Sequence, residues 1–367
     1  MKVILPSVEM QFTGNYIDEK DIYKKIEKIA RTCYKSEDKI TETSHEKMID
    51  TLRERGHWAM FEHHNIVRSV SKELYIKLWS LLNSPDDQWD GLRTINETAR
   101  CQRYFNFTAE PHLDRYLISG SPTAFANMWV TNNKSWNEFC EIVYYLYPKL
   151  VKVPSLFEPM KFNPNVNRLH YDILDPIQIK QLPYDIRKYH EMVTFKVIMD
   201  RGVSHEAVRH RPMAFAQEST RYCNYGNSGV TFILPNWFNE HDKLNLLNER
   251  VPMTWDRFNK LEDEDRIKVI EYFNEYRSYQ WYVSMLHSEN TYNLLVSDQN
   301  DERKWQPQEA RSILPNSLKT EIYMSATLQQ WEWFCNMRTP TAAHPQMREI
   351  AIPIKEKLFK YIYPNRV

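Results

Sequence analysis

The most informative part of the sequence is the stretch SHEAVRHRPMAFAQESTRYCNY, which covers Ser204–Tyr225. It begins with a pattern typical of a helix, and Pro212 disfavours helical backbone at the residue before it, so the helix is predicted to end at Arg211. Three charged or titratable side chains then share one helix face, at spacing i, i+3 and i+4: Glu206, Arg209 and His210. Two arginines beside an imidazole, at a helix end where the dipole favours cations, predict a site for a polyanion.

A second group of polar residues follows eight positions after Arg211. There a hydroxyl group stands beside another guanidinium, at Ser219 and Arg221, with Gln217 and Glu218 just before them. A guanidinium offers two parallel donors to two oxygens, so this pair predicts binding of a phosphate or a carboxylate. A single surface arginine is expected only to pair with an acid, but the whole string indicates a binding site.

The C-terminal region holds a third cluster, in EARSILPNSLKTE (309–321) and WEWFCNMRTPTAAHPQMREIAIPIKEKL (331–358). Arg338 ends an aromatic-rich helix, and Pro345 suits the first turn of the next helix with His344 near its N-cap. An arginine and a histidine meeting at two helix ends predict the edge of a site, although helix capping without a ligand explains them equally well. Three aromatic residues of the first helix are expected in the core: Trp331, Trp333 and Phe334.

Composition excludes several classes of protein. The chain has 367 residues with 48 basic and 48 acidic side chains, whereas nucleic-acid binders usually carry a basic excess. Its seven glycines form no Gly-x-Gly, which excludes the Rossmann and P-loop motifs. The five scattered cysteines predict neither disulfides nor a zinc site and suit the cytoplasm. No signal peptide or membrane span is predicted.

The order of predicted elements indicates an α+β fold, a mixed sheet with long helices. Before residue 67 the patterns predict one strand and two helices, over 3–10, 19–34 and 45–55. From 67 to 187 the composition and the spacing of turns change, and this segment is predicted to be an inserted α/β elaboration. Its expected parts are a helix over 71–82, a turn at 84–87, a hairpin over 103–119, a helix over 135–146 and a proline-spotted stretch over 148–183. The remainder is predicted to hold strands at 193–199 and 230–235, a helix from about 242, a long helix over 264–296 and two C-terminal helices.

Known catalytic motifs are absent from the sequence. It contains no Gly-x-Ser-x-Gly, no His-Glu-x-x-His, no metal-ligand spacing and no cysteine in a nucleophile context. An enzyme built on this chain would therefore leave the difficult chemistry to a cofactor, while the protein supplies orientation and charge.

The residues resemble a known family. Arg209-His210-Arg211, seven residues and then Ser219 match the Arg-His-Arg-x7-Ser signature of the flavin-dependent thymidylate synthases, the ThyX family. The run 204–225, the C-terminal blocks 309–321 and 338–356, and FEHHNI at 61–66 match in the family's order. The resemblance covers about the first sixty-five residues and everything after about His190. It predicts a ThyX-like catalytic domain from residues 1–66 and 188–367.

The resemblance implies a reaction and an assembly. Family members convert dUMP to dTMP with methylenetetrahydrofolate as the one-carbon donor and NADPH-reduced FAD as the hydride source, without a protein nucleophile. They are homotetramers with shared sites, and they use neither a metal, a membrane nor a nucleic acid.

Residue roles follow by position. The resemblance assigns FAD binding to Arg209, His210, Arg211 and His344, the last in a His-x-Gln that ends at Gln346. It assigns dUMP binding to Glu206, Arg209, Gln217, Glu218, Ser219, Arg221, Arg311 and Arg338. The predicted catalytic residues are Arg338, which would polarise the uracil carbonyl, and Ser219, which is expected to bind rather than attack because no base adjoins it.

Some points stay open in the sequence. Both His63 and His190 could be the flavin-proximal histidine: His63 matches the FEH motif, and His190 fits the spacing to Arg209. The family's Asn-x-Arg falls on Thr327 and Gln329, so no FAD contact is assigned there. One alternative keeps the flavin but makes the enzyme a hydroxymethylase or a dCMP-directed relative. Another is a nucleotide-binding or RNA-binding protein without turnover.

Overall fold

The computed structural model describes most of the chain. The described residues are 1–83 (81–83 as backbone only), 105–128, 139–141, 143–144, 146–150, 173–211, 213–226, 229–297 and 303–364. The turn predicted at 84–87, half of the helix predicted over 135–146 and most of the stretch 148–183 lie outside them. No helix in the described ranges is both long enough and apolar enough to cross a membrane.

Strands and helices alternate irregularly along the chain. The strands are β1 (Lys2–Ile4), β2 (Ser7–Thr13), β3 (Ile66–Ser69), β4 (Phe105–Glu110), β5 (Arg115–Gly120), β6 (Met192–Asp200), β7 (Ala214–Gln217), β8 (Thr231–Ile233) and β9 (Lys319–Thr327). The helices are α1 (Glu19–Tyr34), α2 (Ser44–Glu54), α3 (Lys72–Asn83), α4 (Pro122–Met128), α5 (Pro176–Gln181), α6 (Tyr184–His190), α7 (Arg201–Ala207), α8 (Glu240–Leu247), α9 (Trp255–Asn259), α10 (Asp263–Glu271), α11 (Tyr276–Val296), α12 (Pro307–Ala310), α13 (Leu328–Arg338) and α14 (Pro345–Ile362). This mixture confirms the α+β class.

A four-stranded antiparallel sheet forms the centre, in the order β2-β6-β9-β7. Every residue of β9 is buried, so helices cover this sheet on both faces. Trp331 of α13 and Ile350 of α14 pack on one face, and Ile29 of α1 packs near Tyr323 on the other. Asp200, the last residue of β6, is paired with Lys319 at the start of β9. The segments leaving these two residues are therefore neighbours, and they carry the candidate site.

The antiparallel hairpin predicted over 103–119 is confirmed for its described residues as β4 and β5, and β3 completes a three-stranded sheet, in the order β3-β5-β4. The hydrophobic residues of this sheet do not form a core of their own. They share one cluster with α1 and α2, for example Phe105 and Ile118 with Ile26 and Ile49. The predicted insertion is therefore packed into the N-terminal region.

Two predicted elements are each divided in the structure. The strand predicted over 3–10 is interrupted at Leu5 and Pro6, and β1 pairs in parallel with β8 while β2 pairs with β6. The long helix predicted over 264–296 breaks at 272–275 into α10 and α11, because the backbone N–H groups of Asn274 and Glu275 donate to the side chain of Asp242 instead of continuing a helix.

Candidate active site

The helix predicted over 204–211 is shorter in the structure. Helix α7 ends at Ala207, and the chain continues through tight turns in which the N–H of Arg209 donates to Glu206 O at 3.3 Å and that of His210 to Ala207 O at 3.1 Å. The physical reason is in the sequence, since a proline at 212 is incompatible with a helical hydrogen bond to Val208. The prediction that Glu206, Arg209 and His210 share one face of a single helix is therefore wrong. Glu206 and His210 nevertheless contact a common partner.

That partner is Arg338, the last residue of α13. Its Nε donates to His210 Nε2 at 2.7 Å, and its Nη1 donates to Glu206 Oε2 at 3.3 Å. The guanidinium therefore joins two segments that the sequence keeps 128 residues apart. Arg338 is half-buried, so part of its donor set remains at the surface.

His210 is held in a defined protonation state. It is buried, and the rings of Trp333 and Phe334 meet it edge-on at centroid distances of 4.8 Å. Burial and, second, the charge of Arg338 lower the pKa of His210 to about 4. The imidazole is therefore neutral at pH 7, accepts through Nε2 and carries its hydrogen on Nδ1. Nδ1 is buried and has no hydrogen-bond partner among the described residues, so one donor is left for a ligand.

The two arginines on either side of His210 face solvent. Arg209 and Arg211 are both exposed, and their side chains form no hydrogen bond or ion pair within the described ranges. Unpaired guanidiniums beside a spare imidazole N–H form a donor set that suits a polyanion such as a pyrophosphate.

A second cationic group lies around the segment after β7. Arg311 is exposed and its Nη1 donates to Thr220 Oγ1 at 3.4 Å, while the N–H of Arg221 donates to Ser219 Oγ at 3.3 Å. The contact between Arg311 and Thr220 lies within one chain. Ser219 contacts no base in the described part of the chain, and its role as a binder stays a prediction.

Arg201 joins this group and was not predicted. Its Nη1 donates to the carbonyl oxygen of Glu218 at 3.0 Å and to Thr320 Oγ1 at 3.4 Å. Burial, together with the nearby charge of Arg311, lowers its pKa. The local sequence could not single it out, because only the pairing of β6 with β9 brings Arg201 beside Thr320.

Glu218 and Gln217 are used mainly inside the protein. Glu218 accepts from the Tyr225 hydroxyl at 2.8 Å, from Lys319 Nζ at 3.0 Å and from the Glu321 N–H at 3.2 Å. Gln217 Nε2 donates to Ser204 Oγ at 2.7 Å. Both carboxylate oxygens of Glu218 are therefore engaged within the protein, whereas the carbonyl oxygen of the Gln217 amide has no hydrogen-bond partner in the described ranges.

A cavity of about 410 Å³ opens next to these residues. Its walls combine aromatic rings, ammonium groups and backbone, and they are formed by Tyr34, Lys35, Glu218, Tyr222, Cys223, Asn224, Tyr225, Gly229, Thr231, Leu318 and Lys319. The N–H of Cys223 donates to Ser219 O at 2.9 Å, which ties the cavity wall to the segment that carries Ser219 and Arg221. The cavity has room for a small molecule beside the cationic group.

The residues of the C-terminal cluster can be located one by one. His344 is the N-cap of α14 with Pro345 in its first turn, as predicted, and its ring meets the exposed ring of Trp237 at 6.2 Å. Trp331 and Phe334 are in the core as expected. Trp333 is not: it is 43 % exposed, and its ring meets that of the buried His210 edge-on.

The two histidines left open by the sequence are both buried. His190 is bonded through both ring nitrogens, to Ser119 Oγ at 2.8 Å and Thr108 Oγ1 at 2.6 Å. His63 Nδ1 is bonded to Ser325 Oγ at 2.7 Å. Burial lowers the pKa of each to about 3, so both are neutral at pH 7.

Comparison with known proteins finds similarity to thymidylate synthases. Residues 189–365 match the family model described as thymidylate synthase complementing protein. Flavin-dependent thymidylate synthases are similar to this chain: that of Corynebacterium efficiens is 28% identical over 160 residues (44% of this chain, 54% of that protein), and that of Corynebacterium glutamicum is 29% identical over 166 residues (44% and 54%). The chain thus spans about half the length of these relatives.

A solved structure also matches, the thymidylate synthase X of Helicobacter pylori with FAD and dUMP, at 18% identity and a TM-score of 0.32 over 48% of this chain and 73% of that one. The family match covers the Arg-His-Arg segment, the segment after β7 and Arg338, and the hydrogen bonds of Arg338 join the first of these to the last. Residues 189–365 are thus similar to the thymidylate synthase complementing protein family and to flavin-dependent thymidylate synthases.

Proposed function

We propose that this chain is a flavin-dependent thymidylate synthase. It would convert dUMP to dTMP, with methylenetetrahydrofolate as the one-carbon donor and NADPH-reduced FAD as the hydride source. The observation that carries the proposal is the pair of hydrogen bonds from Arg338 to His210 and Glu206. They join the family's Arg-His-Arg block to its C-terminal block at one surface, beside two unpaired guanidiniums.

The residues present fit FAD. Its pyrophosphate needs several converging donors, and the Arg209 and Arg211 guanidiniums and the spare N–H of His210 supply them. When bound, FAD supplies the hydride that the chain's own side chains cannot provide. The neutral imidazole of His210 donates through Nδ1 without adding a third positive charge. His344, the N-cap of α14, is the remaining proposed FAD residue in this part of the chain.

The dUMP phosphate would bind between Ser219, Arg221 and Arg311, with Arg201 holding the backbone at Glu218. The nucleoside would then extend toward Gln217 and Arg338. A fixed cation at Arg338 would stabilise negative charge developing on the pyrimidine when its C5 becomes nucleophilic, and Glu206 keeps that guanidinium oriented. Ser219 would bind the phosphate rather than act as a nucleophile.

Other expectations stay part of the proposal. His63 remains the favoured flavin-proximal histidine, because His190 already uses both ring nitrogens within the chain. A homotetramer with shared sites, the cytoplasmic location, and the division into a catalytic domain (1–66 and 188–367) and an insertion (67–187) belong to the proposal as well.

The test is mass spectrometry of the nucleotide after incubating the protein with dUMP, FAD, NADPH and methylenetetrahydrofolate. We expect a product that has gained one methyl group. A hydroxymethyl product, or turnover of dCMP alone, would instead support the alternative chemistry on the same fold. Unchanged nucleotide with FAD bound would overturn the enzymatic proposal in favour of a binding protein.

Two variants separate the proposed roles. Arg209→Ala should lose FAD absorbance after gel filtration while the protein stays folded, because it removes one of the unpaired guanidiniums. Arg338→Ala should keep the nucleotide but lower kcat by at least about a hundredfold, the usual effect of losing a charge that stabilises a transition state. Arg348→Ala is the matched control, since the side chain of this arginine donates to the Thr339 carbonyl and to no other group in the described part of the chain, and its loss should change kcat less than about threefold.

A further inference from the structure

Lys25 on α1 is a buried ammonium without a partner. The residue is 2% exposed, and its Nζ has no hydrogen-bond partner among the described residues. Two aromatic rings lie near it, with Nζ at 5.6 Å from the centroid of Phe12 and 5.8 Å from that of Tyr16. Such cation–π contacts offset only part of the cost of burying a charge. A buried ammonium of this kind is costly unless it finds an acceptor or releases its proton.

The protein interior around Lys25 does not supply one. The charged or titratable groups that it faces there are His63 and His64, whose pKa values fall because of burial and, second, the charge of Lys25. Neither ring nitrogen of His64 has a hydrogen-bond partner within the described ranges. An anionic acceptor for Lys25 would therefore have to come from the other side of the residue.

On that side Lys25 lines a cavity of about 410 Å³, separate from the one beside Ser219. The cavity is formed by Phe12, Tyr16, Asp21, Lys24, Lys25, Glu27, Lys28, Ile40, Thr41 and Glu42. None of these residues is a candidate active-site residue, so the inference is independent of the proposed function.

The charges in the cavity favour an anion. Glu27 is engaged by Arg31 at 2.8 Å, and Glu42 pairs with Lys24 at 3.4 Å. This leaves Lys25 and Lys28, the latter 5.6 Å from the Phe12 centroid, against the single carboxylate of Asp21. The lining holds three lysines and three carboxylates, and with the Glu27–Arg31 and Glu42–Lys24 pairs set aside one lysine is in excess, beside two aromatic rings.

We propose that this cavity binds a small planar organic anion, with its ring against Phe12 and Tyr16 and its carboxylate bonded to Lys25. A carboxylate accepts strong, short hydrogen bonds from an ammonium. A flat apolar body suits the aromatic wall, and Lys28 at the rim adds a second attraction. Nζ is itself buried, so this hydrogen bond would require rotation about the last bonds of the lysine side chain.

The test uses benzoate as the probe, with benzamidine as a cation of the same shape and inorganic phosphate as an anion without a ring. Binding is followed by ligand-observed NMR titration of the whole chain. Benzoate should bind, benzamidine should not, and phosphate should bind at least about tenfold more weakly than benzoate. Lys25→Met should weaken benzoate binding at least about tenfold, whereas Lys24→Met, its neighbour on the same helix, should change it less than about twofold.

Several results would overturn the proposal. These are no benzoate binding to the wild-type protein, equal binding of benzoate and benzamidine, phosphate binding as tight as benzoate binding, or unchanged benzoate binding in the Lys25→Met variant. If that variant does not fold, Tyr16→Leu takes its place and should weaken benzoate more than phosphate. The comparison of the three probes on the wild-type protein shows, without any variant, whether binding requires a negative charge and an aromatic ring on the ligand.

Discussion

At the scale of single residues, Lys25 has a measurable effect on stability. Burial lowers the pKa of Lys25 from 10.5 to about 7, so between these values the unfolded chain binds a proton that the folded chain has released. The destabilisation that buried Lys25 causes at pH 7 therefore decreases as the pH rises toward 10.5. Lys25→Met should raise the free energy of unfolding at pH 7 by on the order of 2 kcal/mol, and this gain should shrink with rising pH.

Urea unfolding of both proteins from pH 7 to 10 measures this difference. Lys24→Met provides the control, because Lys24 is exposed and its pairing with Glu42 is worth little. The prediction would be wrong if Lys25→Met were less stable than wild type at pH 7, or if its gain in stability did not vary with pH. Either result would mean that the Lys25 ammonium has a partner in the folded protein in solution.

Residue types could be predicted from the sequence much better than their partners. Arg338, His210 and Glu206 were each identified by local spacing or by resemblance, but their meeting depends on where α13 ends relative to the turn after α7. Arg201 was missed for the same reason: its neighbour Thr320 comes from a strand 119 residues away. Local patterns contain no information on such pairs.

At the scale of elements, periodicity predicted α1 to the residue and the start of α14 at Pro345. It failed where a distant side chain ends a helix. The pattern over 264–296 is continuous, and the break before α11 comes from Asp242, which is fully buried on α8 and accepts from Asn274 and Glu275. A tertiary cap of this kind replaces the local one, since the N-cap residue of α11 has no side-chain hydrogen bond to the helix.

Asp242→Ala should therefore destabilise the protein by on the order of 2 kcal/mol, because it leaves two backbone N–H groups unpaired. Hydrogen bonds, first that from the Asn274 N–H, outweigh the effect of burial and lower the pKa of Asp242. Its contribution is then complete above pH 3.8 and is lost as the pH falls through the lowered value. Urea unfolding should show the gap between variant and wild type at pH 7 and its closure in acid.

Asp265→Ala is the control for this prediction. Asp265 pairs with Lys268 at 2.8 Å at the surface and should contribute less than about 0.5 kcal/mol. Equal effects of the two substitutions would mean that Asp242 does not cap α11.

At the scale of the whole molecule, the question is whether the hairpin β4–β5 is a separate unit. In the sequence, the segment 67–187 differs from the first 66 residues in its composition and in the spacing of its turns. The packing joins them: Phe125 of α4 contacts the Phe105 ring at 5.1 Å and the Phe139 ring at 5.3 Å, within the cluster that holds Ile26 of α1. Packing between segments distant in sequence is not visible in a local pattern.

A shared core predicts that α1 and the hairpin unfold together. Phe125 is fully buried, so Phe125→Ala should lower the free energy of unfolding by about 3 kcal/mol. Hydrogen exchange should then show the amides of α1 losing protection in parallel with those of β4 and β5. Ile177→Ala, at a site 67% exposed, should leave both unchanged. Coupled opening requires that the substitution at Phe125 lowers the free energy of opening of both regions. If the amides of the hairpin exchanged freely while those of α1 stayed protected, the two regions would therefore be independent units despite their common core.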